Sequence, residues 1–178
     1  MPAKSTESRY GSVAIAFHWL SAVLVLAMIF IGMQLDDVAE PGARLSLLRA
    51  HAAIGLAVLA VTLPRLLWRL ADPKPGPPAG MSRLEWRAAR TAHVLLYLLL
   101  LGTLAAGVTT VVLGGALEAL LGTPGALLPK DFGHLAAREL HGALAWSLTA
   151  LLLLHIAAAL YHHWVRRDEV LRRMWWGG

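Results

Sequence analysis

Long apolar runs occupy approximately residues 13–35, 50–70, 91–113 and 140–165, and polar residues concentrate between them. At 1.5 Å per residue each run is long enough to cross a hydrocarbon layer of about 30 Å. The pattern predicts an all-α membrane protein, a four-helix transmembrane bundle forming one domain over residues 1–178. The first run follows Lys4 and Arg9 as a secretory signal would, but it is too long and lacks a small-x-small cleavage site, so it is read as a span. Pro64 falls inside the second run, where a kink is expected. The linker ADPKPGPPAG (71–80) cannot be helical, because proline lacks an amide donor and restricts the residue before it. The following SRLEWRAAR (82–90) reads as an amphipathic lead-in at the headgroups. The connection 114–139 carries the turn signals Gly-Gly, Thr-Pro-Gly and Leu-Pro-Lys.

Composition makes the membrane reading firm: 57% of residues are hydrophobic and 15% charged, with a mean hydropathy of +0.59, more apolar surface than a water-soluble core of 178 residues can hide. The absence of cysteine excludes disulfides, iron–sulfur clusters, thiolate zinc sites and covalently attached haem. Eight histidines remain as the soft-metal ligands. A net charge of +5 and a pI near 10.2 would suit nucleic acid in a soluble protein; in a membrane protein they report topology, and no nucleic-acid partner is expected. Twelve of the 16 Lys and Arg residues fall on one side: Lys4, Arg9, Arg65, Arg69, Lys74, Arg83, Arg87, Arg90, Arg166, Arg167, Arg172 and Arg173. Arg44, Arg49, Lys130 and Arg138 fall on the other, so both termini and the proline-rich loop are expected in the cytoplasm. Trp68, Trp164, Trp175 and Trp176 lie near the cytoplasmic face as interfacial anchors.

An intramembrane histidine is costly enough to suggest function, and every span carries at least one. His141, His155 and His162 share one face of the fourth span within roughly 60°, separated by about 21 Å and about 10 Å along its axis. Flanking charges set the depths of the others: His18 matches His155, His51 matches His141, and His93 matches His162. Two bis-histidine layers are what two haems require, with an axial nitrogen from each of two facing helices. Gly55, Ala14, Ala22, Ala145 and Ala159 are small residues that leave room for a flat ring, although small residues also serve plain helix packing. His134, in the outer loop, and His163, off the stripe, are read as solvated or interfacial, and Arg65 and Arg69 as cytoplasmic anchors first and as partners of haem propionates second.

The strings RYGSVAIAFHWL (9–20), HAAIGLAVL with RLLWRL (51–59, 65–70), AHVLLYLLL (92–100) and LHIAAALYHHWVRRDEVLRRM (154–174) resemble the bacterial cytochrome b561 family of four-helix, di-haem membrane cytochromes. The resemblance implies two non-covalent b haems, one held by His18 and His155 toward the cytoplasm and one by His51 and His141 toward the periplasm. It also implies a quinone region at His93 and His162, with Tyr97 one helical turn after His93. One member of the family is a superoxide oxidase that passes electrons from periplasmic superoxide to ubiquinone. Two departures stand out. Gly142 follows His141 where such sequences often carry an acid, which would leave that ligand without a partner. The outer face carries six acids, Asp36, Asp37, Glu40, Glu118, Asp131 and Glu139, against four bases, the wrong balance for steering an anion. The leading expectation is therefore an electron carrier between a periplasmic redox protein and the quinone pool. Superoxide oxidation stands second. A histidine-lined metal or proton transporter is third, as no span holds the buried acid such a relay uses.

Overall fold

The computed structural model describes residues 1–35, 37–129 and 132–176. Asp36, Lys130 and Asp131, counted above among the outer-loop charges, lie outside the described residues. The described chain is helical without strands: α1 (Ser12–Gln34), α2 (Pro41–Ala71), α3 (Arg83–Leu113), a short α4 (Leu117–Leu121) and α5 (Ala136–Tyr161). A π-helical turn, His162–Arg166, continues α5, and a 3-10 turn, Arg172–Met174, follows. Among the described residues four helices are long and apolar enough to cross a membrane: α1, α2, α3 and α5 with its π turn.

The side chains face outward in the sense that lipid permits. Phe30, Leu56, Leu98 and Leu153 are each more than 60% exposed, while Ile15 and Val58 are among the few apolar side chains fully enclosed. Helical backbones satisfy their own amides and carbonyls, as a hydrocarbon solvent requires.

Two helices begin earlier than the apolar runs suggested, for reasons of capping. Glu40 accepts the amides of Gly42 (2.9 Å) and Ala43 through its two carboxylate oxygens, and Pro41 takes the first helical position, so α2 starts nine residues before the apolar run at 50. Those two amides hold the Glu40 carboxyl below its ordinary value. At α3, Ser82 and Glu85 form a reciprocal capping box, with Ser82 N donating to Glu85 Oε2 (2.7 Å) and Glu85 N to Ser82 Oγ (3.2 Å). The expected lead-in 82–90 is thereby part of α3 itself from Arg83 onward. Helix α4 also lies within the stretch expected to be loop, and Gly122 ends it at φ 82°, a left-handed position suited to glycine. Pro64 is accommodated within α2.

The chain groups into two compact units. The first comprises Met1–Val23, Ala60–Leu96 and Ala150–Gly178, and so holds both termini. Here the N-terminal strap supplies carbonyls to the open end of α1: Ser12 N donates to Pro2 O (3.0 Å) and Val13 N to Ala3 O (3.4 Å). The chain passes so close that a Cβ on Gly11 would lie 2.3 Å from Ala3 O. Asp72, just past α2, is 8% exposed and accepts from Ser5 N (3.0 Å) and Ser5 Oγ, while Gly11 N donates to Ser5 Oγ (3.0 Å). The C-terminal tail closes over the same end. Trp19 Nε1 donates to Met174 O (2.8 Å), Arg173 to Gly76 O (2.8 Å), and Arg166 to both Glu85 (3.0 Å) and Gly80 O (3.1 Å).

The second unit comprises Leu24–Leu59 and Tyr97–Thr149. Arg49 ties α2 to α4, its Nε (3.1 Å) and Nη2 (2.6 Å) both donating to Ala119 O. Gly55 packs against Met28 Cε (3.3 Å) and Leu104 Cδ2 (4.0 Å), so its small size serves helix contact.

Replacing Asp72 by Ala leaves the buried Ser5 amide and hydroxyl donors without their acceptor and should lower stability by about 1–3 kcal/mol. The thermal midpoint in detergent and protease sensitivity of residues 1–11 check this: a lower midpoint with faster cleavage of the strap is expected.

Candidate functional site

The first unit brings three imidazoles together. His18 on α1 and His155 on α5 have ring centroids 6.4 Å apart with planes at 67°, and His93 on α3 lies 5.2 Å from His155. The side-chain nitrogens differ in what they do. Arg65 Nη2, always protonated, donates to His18 Nδ1 (3.0 Å), so a neutral His18 carries its proton on Nε2. His93 Nδ1 instead donates to Ala89 O (2.7 Å), one turn back on its own helix, leaving Nε2 with the lone pair. Arg65, expected to be an anchor, therefore addresses His18 directly. His162 contacts Asp168 at 2.5 Å and Tyr161 at a centroid distance of 6.0 Å. The contacts of His93 run to His155, and those of His162 to Asp168 and Tyr161, so the shared depth of His93 and His162 does not reappear as a described ring pair.

In the second unit His51 on α2 and His141 on α5 have ring centroids 6.2 Å apart with planes at 74°. His141 Nδ1 donates to Thr103 O on α3 (2.9 Å), which fixes the lone pair on Nε2. This carbonyl is the partner that Gly142 seemed to deny. His51 Nδ1 is buried with no hydrogen-bond partner. Two glycines cradle these rings: a Cβ on Gly32 would lie 3.3 Å from His51 Cε1, and one on Gly107 would lie 3.0 Å from His141 Nδ1. Gly142 makes room for Arg138, whose Nη1 is 3.2 Å from the position of a Cβ there. The Arg138 charge acts on both His51 and His141. Of the other outer bases, Arg49 is engaged with Ala119. Tyr97, along α3 from His93, falls in this second unit. His134 is exposed, in keeping with a solvated loop residue.

Both pairs fit a haem. Each pair sets two imidazoles at a centroid distance of 6.4 or 6.2 Å, a two-nitrogen donor set of the kind that would hold a haem iron. His141 Nδ1 donates to Thr103 O, which leaves Nε2 as the free donor nitrogen, and the unpartnered His51 Nδ1 belongs to a ring packed closely against Gly32. At His18, ligation through Nε2 requires the bond from Arg65 to be exchanged, which frees a guanidinium beside the pair for a haem carboxylate. Among the described residues no group of three or more His, Asp or Glu side chains is arranged for a bare metal ion.

Four apolar spans carrying paired imidazoles define a membrane protein of the haem-binding, electron-transfer class. The sequence pattern of the prokaryotic cytochrome b561 family matches residues 9–177, and the chain belongs to that family, whose members are transmembrane haem b electron-transfer proteins. It is 33% identical to cytochrome b561 homolog 2 of Escherichia coli (strain K12), over 96% of this chain and 93% of that protein. It is 31% identical to cytochrome b562 of Cereibacter sphaeroides, over 94% of this chain and 96% of that protein. It is 26% identical to a probable superoxide oxidase of Yersinia pestis, over 94% and 96%.

Gly107→Val should displace the His141 ring and lower the haem content of the purified protein. Gly102→Ala, whose Cβ meets only the flexible end of Leu144 at 3.3 Å, should leave it unchanged. Haem quantitation per chain as pyridine haemochrome makes the comparison.

Proposed function

We propose that the chain is a di-haem b electron carrier of the bacterial inner membrane, linking a periplasmic redox donor to ubiquinone or a related quinone. Both termini lie in the cytoplasm on this reading. The observation that carries it is the pair of imidazole pairs, at 6.4 and 6.2 Å, each with one histidine on α5. His18 and His155 would hold one haem and His51 and His141 the other. Haem bound there supplies a one-electron iron couple. The chain contributes the rest: Thr103 orients His141, and Gly32 and Gly107 leave the rings their space. Arg65 places positive charge at His18. Bis-histidine ligation fills both axial positions, which favours electron transfer over oxygen activation. The quinone region is assigned to the end bearing His93 and His162, with Tyr97 further along α3. An imidazole there hydrogen-bonds a quinone oxygen and exchanges protons as the quinone is reduced.

A second reading, superoxide oxidation, is favoured by Arg138, a positive charge that acts on both His51 and His141 despite the acidic balance of the outer loops. Stopped-flow haem reduction by a superoxide pulse separates the two. Slow, salt-insensitive reduction is expected for a carrier served by a protein donor, and rapid reduction that weakens with salt and with Arg138→Gln would make superoxide the substrate.

Haem quantitation tests the leading reading: two per chain in the wild type, with one lost in His18→Ala or His155→Ala and the other in His51→Ala or His141→Ala. A fully supplied wild type holding one haem or none would overturn it. His93→Ala should keep both haems yet slow haem oxidation by a soluble ubiquinone analogue; unchanged kinetics would remove His93 from the quinone region.

A further inference from the structure

His162 is singled out by its partner. Other imidazoles of the spans find different Nδ1 partners: His93 and His141 donate to backbone carbonyls, and His18 accepts from a guanidinium. His162 Nδ1 lies 2.5 Å from Asp168 Oδ2, with the two side chains 14% and 17% exposed. The carboxylate is held from its other side as well, Oδ1 accepting from Val170 N (3.0 Å).

The backbone is bent to make this contact. Residues six apart on a continuous α-helix point to different faces, at about 100° per residue. Here α5 widens into the π turn His162–Arg166, and Arg167 takes a left-handed conformation at φ 54°, which is costly for a residue with a Cβ. The amides of Arg167 and Asp168 then both fold back onto His162 O. A π turn, a left-handed arginine and a doubly held carboxylate converge on one imidazole.

We propose that Asp168 is a positioning residue for His162: it holds the Nδ1 proton, so that Nε2 is the atom that exchanges a proton with the bound quinone or quinol. The inference rests on the quinone reading given above. A carboxylate accepting from Nδ1 fixes the tautomer and the ring orientation, and its charge faces the imidazolium that proton exchange at Nε2 passes through. Converting a quinone to its quinol takes two electrons and two protons. The electrons come one at a time from ferrous haem b, which is oxidised. One proton passes from His162 Nε2, where the N–H bond breaks, to a quinone oxygen, where the O–H bond forms; the other comes from water, and His162 is reprotonated from the aqueous side. Quinol oxidation runs the same transfers in reverse.

Asp168→Asn is nearly isosteric and keeps an oxygen for Val170 N, but its amide can donate to Nδ1. Histidine ¹⁵N NMR of the ferrous, haem-loaded protein in nanodiscs reads the tautomer, and stopped-flow oxidation by a soluble ubiquinone analogue reads the transfer. The wild type is expected to show a protonated, strongly hydrogen-bonded His162 Nδ1. The variant should move the proton to Nε2 and slow oxidation roughly tenfold or more, with haem content unchanged. Asp168→Glu, which keeps a carboxylate, should retain the Nδ1 proton and most of the rate. An unchanged tautomer in Asp168→Asn overturns the proposal, as does a Glu variant as slow as the Asn variant, because the effect would then belong to the turn. If His162→Ala oxidises at the wild-type rate, the quinone reading at His162 fails and takes the proton role with it, while the tautomer result still reports separately on the Asp168 contact.

Discussion

An imidazole placed in a membrane-spanning helix brings two nitrogens into a medium that offers neither a water donor nor a water acceptor, and what becomes of the first nitrogen decides what the second can do. His141 shows the case most plainly. Its Nδ1 proton is taken by the Thr103 carbonyl, which leaves a lone pair on Nε2 aimed at ligand chemistry. His51 shows the complement, a buried Nδ1 still without a partner beside a cradle of glycine. At His18 the first nitrogen is occupied by the Arg65 guanidinium, which places the proton of the neutral ring on Nε2.

Holding those rings in register is the task of the helix ends. The spans themselves have few enclosed side chains, so their placement depends on polar contacts outside the hydrocarbon. At the end bearing the termini, the strap 1–11 caps α1 and is pinned by Asp72, while Trp19 binds the tail at Met174 and Arg166 binds the linker at Gly80. In the other unit Glu40 caps α2, and Arg49 closes the short α4 through Ala119 O. Ser5 with Asp72, Trp19 with Met174, Arg166 with Gly80 and Arg49 with Ala119 join segments far apart in sequence, whereas the Glu40 cap is local.

The four spans were legible because a run of apolar residues says the same thing in lipid whatever it packs against. The pairings of His18 with His155 and of His51 with His141 were legible for a related reason: charges mark the membrane surface, so counting from Arg9, Arg49, Glu139 and Arg166 measures depth. Rotation is another matter. Nothing in the spacing of Gly32 or Gly107 distinguishes them from Gly55, yet the first two face imidazoles and the third faces Met28. The starts of α2 and α3 were set by Glu40 and Ser82, whose capping hydrogen bonds extend a helix well beyond its apolar stretch. Helix α4 was hidden among glycine and proline turn signals. Asp168 could not be paired with His162 from sequence, since the contact exists only through a π turn and a left-handed arginine.

The central claim is that each imidazole pair ligates its own haem from both sides, and the spin state of the iron gives it a direct test. The ring planes within the two pairs stand at 67° and 74° to each other, and a haem held by both imidazoles of a pair would be low-spin in its ferric state. Low-temperature electron paramagnetic resonance spectra of the oxidised, fully haem-loaded protein should contain two such low-spin signals of equal spin count and no high-spin iron. A single low-spin signal, or a high-spin signal from a site lacking one ligand, would contradict the account.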